Sequence, residues 1–159
     1  MSTNHQREGV TSNAHAGKDF EDQIYDYFTS EGISIEKDYS IPVGVSSKKA
    51  HRFDFGNDSL LIECKSHKWT ASDGIPQGKI HVWNEAMFYF YMAPTSFKKY
   101  FVVLMDFSQK RWKTLVQYYI ERYQNFIPKD VVIYEYYEQS KYCEIYKFDE
   151  ELCQHIIER

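Results

Sequence analysis

The chain has little of what marks secreted, membrane-embedded or strongly basic proteins. It has only three cysteines, Cys64, Cys143 and Cys153, an odd number at wide spacing. That pattern gives no disulfide framework and is expected of reduced thiols in a cytoplasmic setting. No apolar run is long enough to cross a membrane, and no charged-then-apolar leader stands at the start. Positive charge is not in excess either. Nineteen Lys and Arg against 23 Asp and Glu leave a formal net charge of −4. This argues against a protein that binds nucleic acid through bulk charge, and leaves any such contact to a local basic patch. There is no internal repeat and no low-complexity tract. What is abundant is aromatic: 14 Tyr and 11 Phe in 159 residues, with 43% hydrophobic and 26% charged residues overall. That composition suits one soluble domain with a real core, expected over residues 15 to 159. Residues 1 to 14 are polar and without periodicity, as in a flexible arm. His5, Arg7, His15 and Lys18 could touch a phosphate backbone there, against the plainer alternative of a disordered terminus.

The most informative stretch is RFDFGNDSLLIECKSH, Arg52 to His67. Two apolar runs, FDF and LLIEC, flank Gly56-Asn57-Asp58-Ser59, so the segment predicts a β-hairpin with a four-residue connection. Charges sit where core residues are expected: Asp54 between Phe53 and Phe55, and Glu63 and Lys65 at the end of LLIEC. An unpaired charge in a core strand is costly, and breaches of this kind gather at functional sites. Side chains two apart on a strand share a face. If Phe53 with Phe55, and Ile62 with Cys64, all face the core, Asp54, Glu63 and Lys65 converge on the other face. Two carboxylates are hard oxygen ligands suited to Mg²⁺. A lysine beside them could orient an attacking water or stabilise charge on a phosphoryl transition state. A zinc site from Cys64 and His67 would lack a second ligand pair.

Asp54 followed by Glu63-Cys64-Lys65 resembles the D…(D/E)xK signature of the PD-(D/E)XK nuclease superfamily, which has the restriction-endonuclease-like fold. The resemblance covers roughly residues 16 to 106, and it departs from the motif at Phe53, where proline is common. It implies an α/β (α+β) architecture: a central mixed β-sheet flanked by helices, with an αβββαβ core. It also implies metal-dependent hydrolysis of DNA, duplex or branched, with Mg²⁺ or Mn²⁺ as cofactor. Asp54, Glu63 and the Cys64 main-chain carbonyl would be the ligands. Gly17-Lys18-Asp19-Phe20-Glu21 matches a G-x-x-F-E context in which relatives bring a glutamate to the metal, making Glu21 a further candidate ligand. By composition alone, Glu21 is a surface acid near a helix start.

The remaining elements fit that order. Phe20, Ile24, Tyr27 and Phe28 form the apolar stripe of a helix from Ala16 to Ser30, stopped by Gly32. Tyr39 to Val45 alternates as a first strand. Ser66 to Ile75 is a loop by composition. Its Lys68 and Trp69 are candidates for phosphate contact and stacking, with Trp69 as a cover for the core edge equally open. Pro76 opens a helix to Tyr91, with Ile80, Trp83, Met87 and Phe90 inward. Gln77 and Lys79 stand in its first turn. The resemblance makes Gln77 the better candidate to support the catalytic centre, and leaves Lys79 as a candidate DNA contact.

Tyr100 to Phe107 is a continuous apolar run, expected as a buried strand reached by a crossover helix. A helix is expected over 109 to 126, with Trp112, Leu115, Val116, Tyr119 and Tyr123 inward. Lys110, Arg111 and Lys113 at its start would suit a phosphate or form a solvated cluster. Val131 to Tyr137 and Cys143 to Phe148 predict a C-terminal hairpin. Its many tyrosines, some expected to be exposed, suggest a homodimer or higher homo-oligomer. A short helix over 149 to 158 closes the chain. Two other functions stay in view: a DNA-binding or assembly module without cleavage, and a buried ion network with no chemistry.

Overall fold

The computed structural model describes residues 10–159. Its core is a seven-stranded mixed sheet in the order β1-β2-β3-β4-β7-β8-β9. The first strands are β1 (Glu36–Val43), β2 (Lys49–Asn57) and β3 (Leu60–Lys65). They run antiparallel to one another in turn. β4 (Lys98–Leu104) and β7 (Val131–Tyr137) continue the sheet, each parallel to its predecessor. The third and fourth strands are joined through helix α2 (Gln77–Met92), the crossover that parallel neighbours require. β8 (Tyr142–Asp149) and β9 (Gln154–Ile157) complete the sheet antiparallel.

Helices cover both faces, because both faces are apolar. Helix α1 (Val10–Ser30) lays Phe20, Ile24 and Phe28 on one face, against Phe55, Ile62, Cys64, Val102 and Tyr136. Gly32, at φ +80°, ends it and lets the Ile33 N–H reach back to the Phe28 carbonyl at 3.0 Å. On the other face α2 buries Ile80, Trp83, Ala86, Met87 and Phe90. Beside it, α3 (Leu115–Tyr123) buries Leu115, Val116, Tyr119 and Ile120. The mixed α/β class and the order helix, three strands, helix, strand agree with expectation.

Four local expectations do not. α1 begins at Val10 rather than Ala16, so residues 10 to 14 of the expected arm are helical. The rest of that arm, with His5 and Arg7, lies outside the described residues. The hairpin connection is two residues, Asp58 and Ser59, because Gly56 and Asn57 belong to β2. Asn57 Oδ1 accepts from the Ser59 N–H at 2.9 Å, closing the turn with its own side chain.

The expected helix over 109 to 126 begins only at Leu115. Thr114 and Gln117 form a reciprocal capping box that fixes this start. Residues before it form a small hairpin, β5 (Phe107–Ser108) with β6 (Lys113–Thr114). Trp112 sits in its turn at φ +54° and is 76% exposed, so it is no part of the core. The closing helix over 149 to 158 is instead a turn and strand β9. Asp149 Oδ1 accepts the N–H groups of Glu151 and Leu152, each at 2.9 Å, and turns the chain back onto β8. β-branched Ile156 and Ile157 then suit a strand.

Most of the tyrosines expected at an interface are packed inside. Tyr136 and Tyr146 are buried, Tyr134 packs on Phe28, and Tyr142 stands exposed. Among the described residues no helix is long and apolar enough to cross a membrane.

Candidate active site

The site lies where β2 and β3 part. Their pairing covers Asn57↔Leu60, Gly56↔Leu61 and Phe55↔Ile62, and goes no further toward the ends that carry the charges. On the opposite edge of β2, Lys37↔Phe55 and Tyr39↔Phe53 flank Asp38, which has φ +56° and makes no ladder pair with Asp54. The backbone is therefore distorted on both sides of Asp54. As a result Phe53 and Phe55 do not share a face. Phe53 packs in the core under α2 and α3, and Phe55 in the core under α1. This corrects the premise that placed Asp54 opposite both rings.

The charged residues meet all the same, through the gap. Asp54 Oδ2 accepts the Cys64 main-chain N–H at 2.7 Å, in the place of a strand-to-strand bond. Ile62 and Cys64 point into the α1 core, so Glu63 and Lys65 point the other way. The Lys65 ammonium donates to Glu63 Oε1 at 2.6 Å, with both side chains about 15% exposed or less. Glu63 Oε2 is buried with no hydrogen-bond partner among the described residues.

The electrostatics follow from crowding. Burial, then the Glu63 charge, pushes the Asp54 carboxyl up to about 6, although the Cys64 N–H and Lys65 pull it down. Burial works against the Lys65 ammonium, but the Glu63 charge and hydrogen bond outweigh it and raise the pKa. Glu21 on α1 is raised by burial first and then by the negative charge of Asp54. Gly17, one turn earlier, faces the end of β3, where a Cβ would stand 4.0 Å from the Ser66 hydroxyl, an ordinary contact.

No protein-family model, curated protein or solved structure matches this chain.

The residues present fit a hard divalent ion. Asp54 and Glu63 supply carboxylate oxygens, one of them buried without a partner, and a cation would offset the repulsion that raises Asp54. The Cys64 main-chain carbonyl is the third ligand that the resemblance implies. No group of three or more His, Cys, Asp or Glu side chains is placed to hold a metal among the described residues, so Glu21, Asp54 and Glu63 do not close into a three-carboxylate set. The zinc alternative has no support: the Cys64 thiol is buried in the α1 core.

A cavity of about 670 Å³ opens at the end of β3, lined among others by Glu21, Lys65, His67, Lys68, Trp69 and Lys79 but not by Asp54, which with Lys18, Glu21 and Asp38 lines a neighbouring cavity of about 470 Å³. Lys68 and Lys79 both line the larger one. Gln77 does not line this cavity and is exposed on the first turn of α2, whereas Lys79, also exposed, does line it.

Trp69 lines the cavity but is held as a brace. It is buried, its main-chain N–H donates to Asp106 Oδ2 at 2.8 Å, and its indole N–H donates to the Asp106 carbonyl at 3.1 Å. The Arg111 guanidinium lies over its ring at 5.1 Å, and Arg111 Nε donates to the Asp73 carbonyl at 2.8 Å. Arg111 is thereby committed to the loop. Lys113 pairs with Glu121, and Lys110 is exposed in the β5–β6 turn. None of the three lines the cavity. The expected basic helix start is absent because the helix starts after them.

His67 also faces this cavity, and sequence reasoning considered it only as a zinc ligand. Its partner Trp83 is 16 residues away across a loop, and no local spacing signals that pair.

Proposed function

We propose that the chain is a divalent-metal-dependent endodeoxyribonuclease of restriction, homing or resolvase type. The observation that carries this is the join at the end of the hairpin: Asp54 bonded to the Cys64 N–H, beside the buried Glu63–Lys65 pair with an unpartnered Glu63 oxygen. The resemblance of Asp54…Glu63-Cys64-Lys65 to the PD-(D/E)XK signature, on strands in the order that superfamily uses, supports the same reading.

Asp54, Glu63 and the Cys64 carbonyl are the residues that would hold Mg²⁺, with Mn²⁺ as the alternative, and Glu21 stands by as a further acidic group. When bound, the ion supplies Lewis-acid stabilisation of the charge that builds on the phosphate. Lys65 acts from the protein side. Glu63 fixes its ammonium, so it can orient the attacking water or stabilise the extra negative charge without reorganising first. Lys68 and Lys79 hold the strand's phosphates at the cavity mouth, giving a local basic patch on a net acidic chain.

The second reading is a DNA-binding or assembly module that does not cleave. The absence of a three-side-chain metal group among the described residues favours it. Incubation with supercoiled plasmid and with synthetic branched DNA, each in Mg²⁺ and in EDTA, separates the two. Mg²⁺-dependent nicking or linearisation is the expected result. Retention of both substrates intact, together with no metal binding by calorimetry, supports the module instead.

A further inference from the structure

We propose that His67 is a phosphate-binding residue of this site, its Nε2–H donating a hydrogen bond to a phosphate oxygen of DNA seated in the cavity. The proposal rests on the nuclease reading only in taking the ligand to be a DNA phosphodiester; the histidine's own arrangement is independent of it. The Trp83 indole N–H donates to His67 Nδ1 at 2.9 Å. An indole nitrogen can only donate, so Nδ1 must present its lone pair and the ring proton must sit on Nε2. Trp83 is fully buried, which fixes the donor and, with it, the ring. Nε2 has no hydrogen-bond partner among the described residues, and it is not among their buried unpartnered atoms, so it opens on the cavity that His67 lines.

What surrounds it selects the ligand. Lys65, Lys68 and Lys79 line the same cavity, with Glu21 as the one carboxylate among the lining residues. The Lys68 and Lys79 ammonium groups, beside a Lys65 already paired with Glu63, and a neutral N–H donor call for an anion that only accepts hydrogen bonds, as the oxygens of a phosphodiester do. Burial first, and then the Lys79 and Lys65 charges, hold the His67 pKa down to about 4, so the ring binds as a neutral donor at ordinary pH.

His155 shows the structural alternative within the same chain. It is 4% exposed, with Nε2 2.7 Å from the Val131 carbonyl oxygen and Nδ1 buried. Both of its nitrogens are enclosed, whereas one nitrogen of His67 is braced from behind and the other is open.

The test uses the full chain. Long-range ¹H–¹⁵N spectra of the free protein should show His67 as the Nε2–H tautomer. Adding a short DNA duplex in Ca²⁺, which permits binding without cleavage, should shift its Nε2 resonance. By fluorescence anisotropy His67→Ala should weaken duplex binding about tenfold, the usual loss for a hydrogen bond to a charged acceptor. His67→Gln, whose amide N–H lies near the Nε2 position, should retain most of the affinity. If removing the acceptor of Trp83 prevents His67→Ala from folding, the spectra of the wild type decide. An Nδ1–H tautomer, an Nε2 resonance unmoved at saturating duplex, or equal affinity of wild type and His67→Ala overturns the proposal. So does an equal shift with inorganic phosphate alone, which would mark a free-anion site. A wild type that binds the duplex through His67 but never cleaves it in Mg²⁺ sustains this proposal and removes the nuclease reading.

Discussion

Asp54 Oδ2 accepts the Cys64 main-chain N–H at 2.7 Å, so a carboxylate stands in for a backbone carbonyl at the point where β2 and β3 separate. The bond fixes Asp54, yet burial and Glu63 together make its charge unfavourable. A side chain held in a costly state serves a site better than it serves stability.

The first prediction follows from that tension. Asp54→Asn keeps an acceptor for the Cys64 N–H and removes the charge. The folded-state pKa of Asp54 is raised to about 6, so in the wild type stability is full below the unfolded value and is lost as pH rises through about 6. Without metal at pH 8, Asp54→Asn should therefore be more stable than wild type. The gain should be about 1 kcal/mol once partial exposure is discounted. Urea denaturation in EDTA measures it. The variant should also lose affinity for Mg²⁺, so a stabilised variant that binds metal as before would contradict the assignment.

A second pH effect belongs to Glu135, in the middle of β7. It is fully buried, Tyr146 donates to its Oε2 at 3.0 Å, and its Oε1 has no partner among the described residues. Burial raises it to about 7, against the pull of hydrogen bonds from Thr114 and Tyr146. A carboxyl raised in the folded state makes stability fall as pH climbs from the unfolded value through the folded one. Glu135→Gln should flatten the profile between about pH 4.5 and 7, and should be about 1–3 kcal/mol more stable than wild type at pH 8. Denaturation midpoints at pH 5 and pH 8 provide the comparison, and parallel losses in both proteins would count against it.

Gly56 is required by a close approach. A Cβ there would stand 2.6 Å from Tyr39 Cδ1 and 2.8 Å from the Leu60 carbonyl oxygen. Gly56→Ala should cost about 1–3 kcal/mol through overpacking against the sheet. A thermal midpoint equal to wild type would contradict this, because both the Tyr39 ring and the Leu60 carbonyl would have to give way.

Thr114 caps α3 by accepting the Gln117 N–H at 3.1 Å, while the Gln117 side chain accepts the Thr114 N–H at 2.9 Å. Thr114→Ala should lose about 1–2 kcal/mol, and Thr114→Ser should recover most of it. Urea midpoints of the two variants that coincide would remove the capping explanation.

The same residues show how far the chain could be read in advance. The hairpin, the charged triplet and the apolar stripes of α1 and α2 were legible because each is a local pattern of period 2 or 3.6. The start of α3 was missed: the apolar spacing of Trp112 with Leu115 and Tyr119 suggested a helix from residue 109, whereas the Thr114–Gln117 capping box fixes its start at Leu115. The final helix was misread from Leu152 and Ile156, four apart, where Asp149 turned the chain into a strand instead. Asp38 at positive φ, the break between Phe53 and Phe55, and the Trp83–His67 bond left no local trace. Each depends on what a neighbouring strand or helix brings to it.

The central claim is that Asp54, Glu63 and Lys65 form a hydrolytic centre. The most direct measurement compares wild type with Lys65→Ala on supercoiled plasmid in Mg²⁺, with circular dichroism confirming that both are folded. The account predicts cleavage by wild type that EDTA abolishes, and a loss of at least about a hundredfold in Lys65→Ala, as expected when one group that stabilises transition-state charge is removed. Equal products from the two proteins would contradict it.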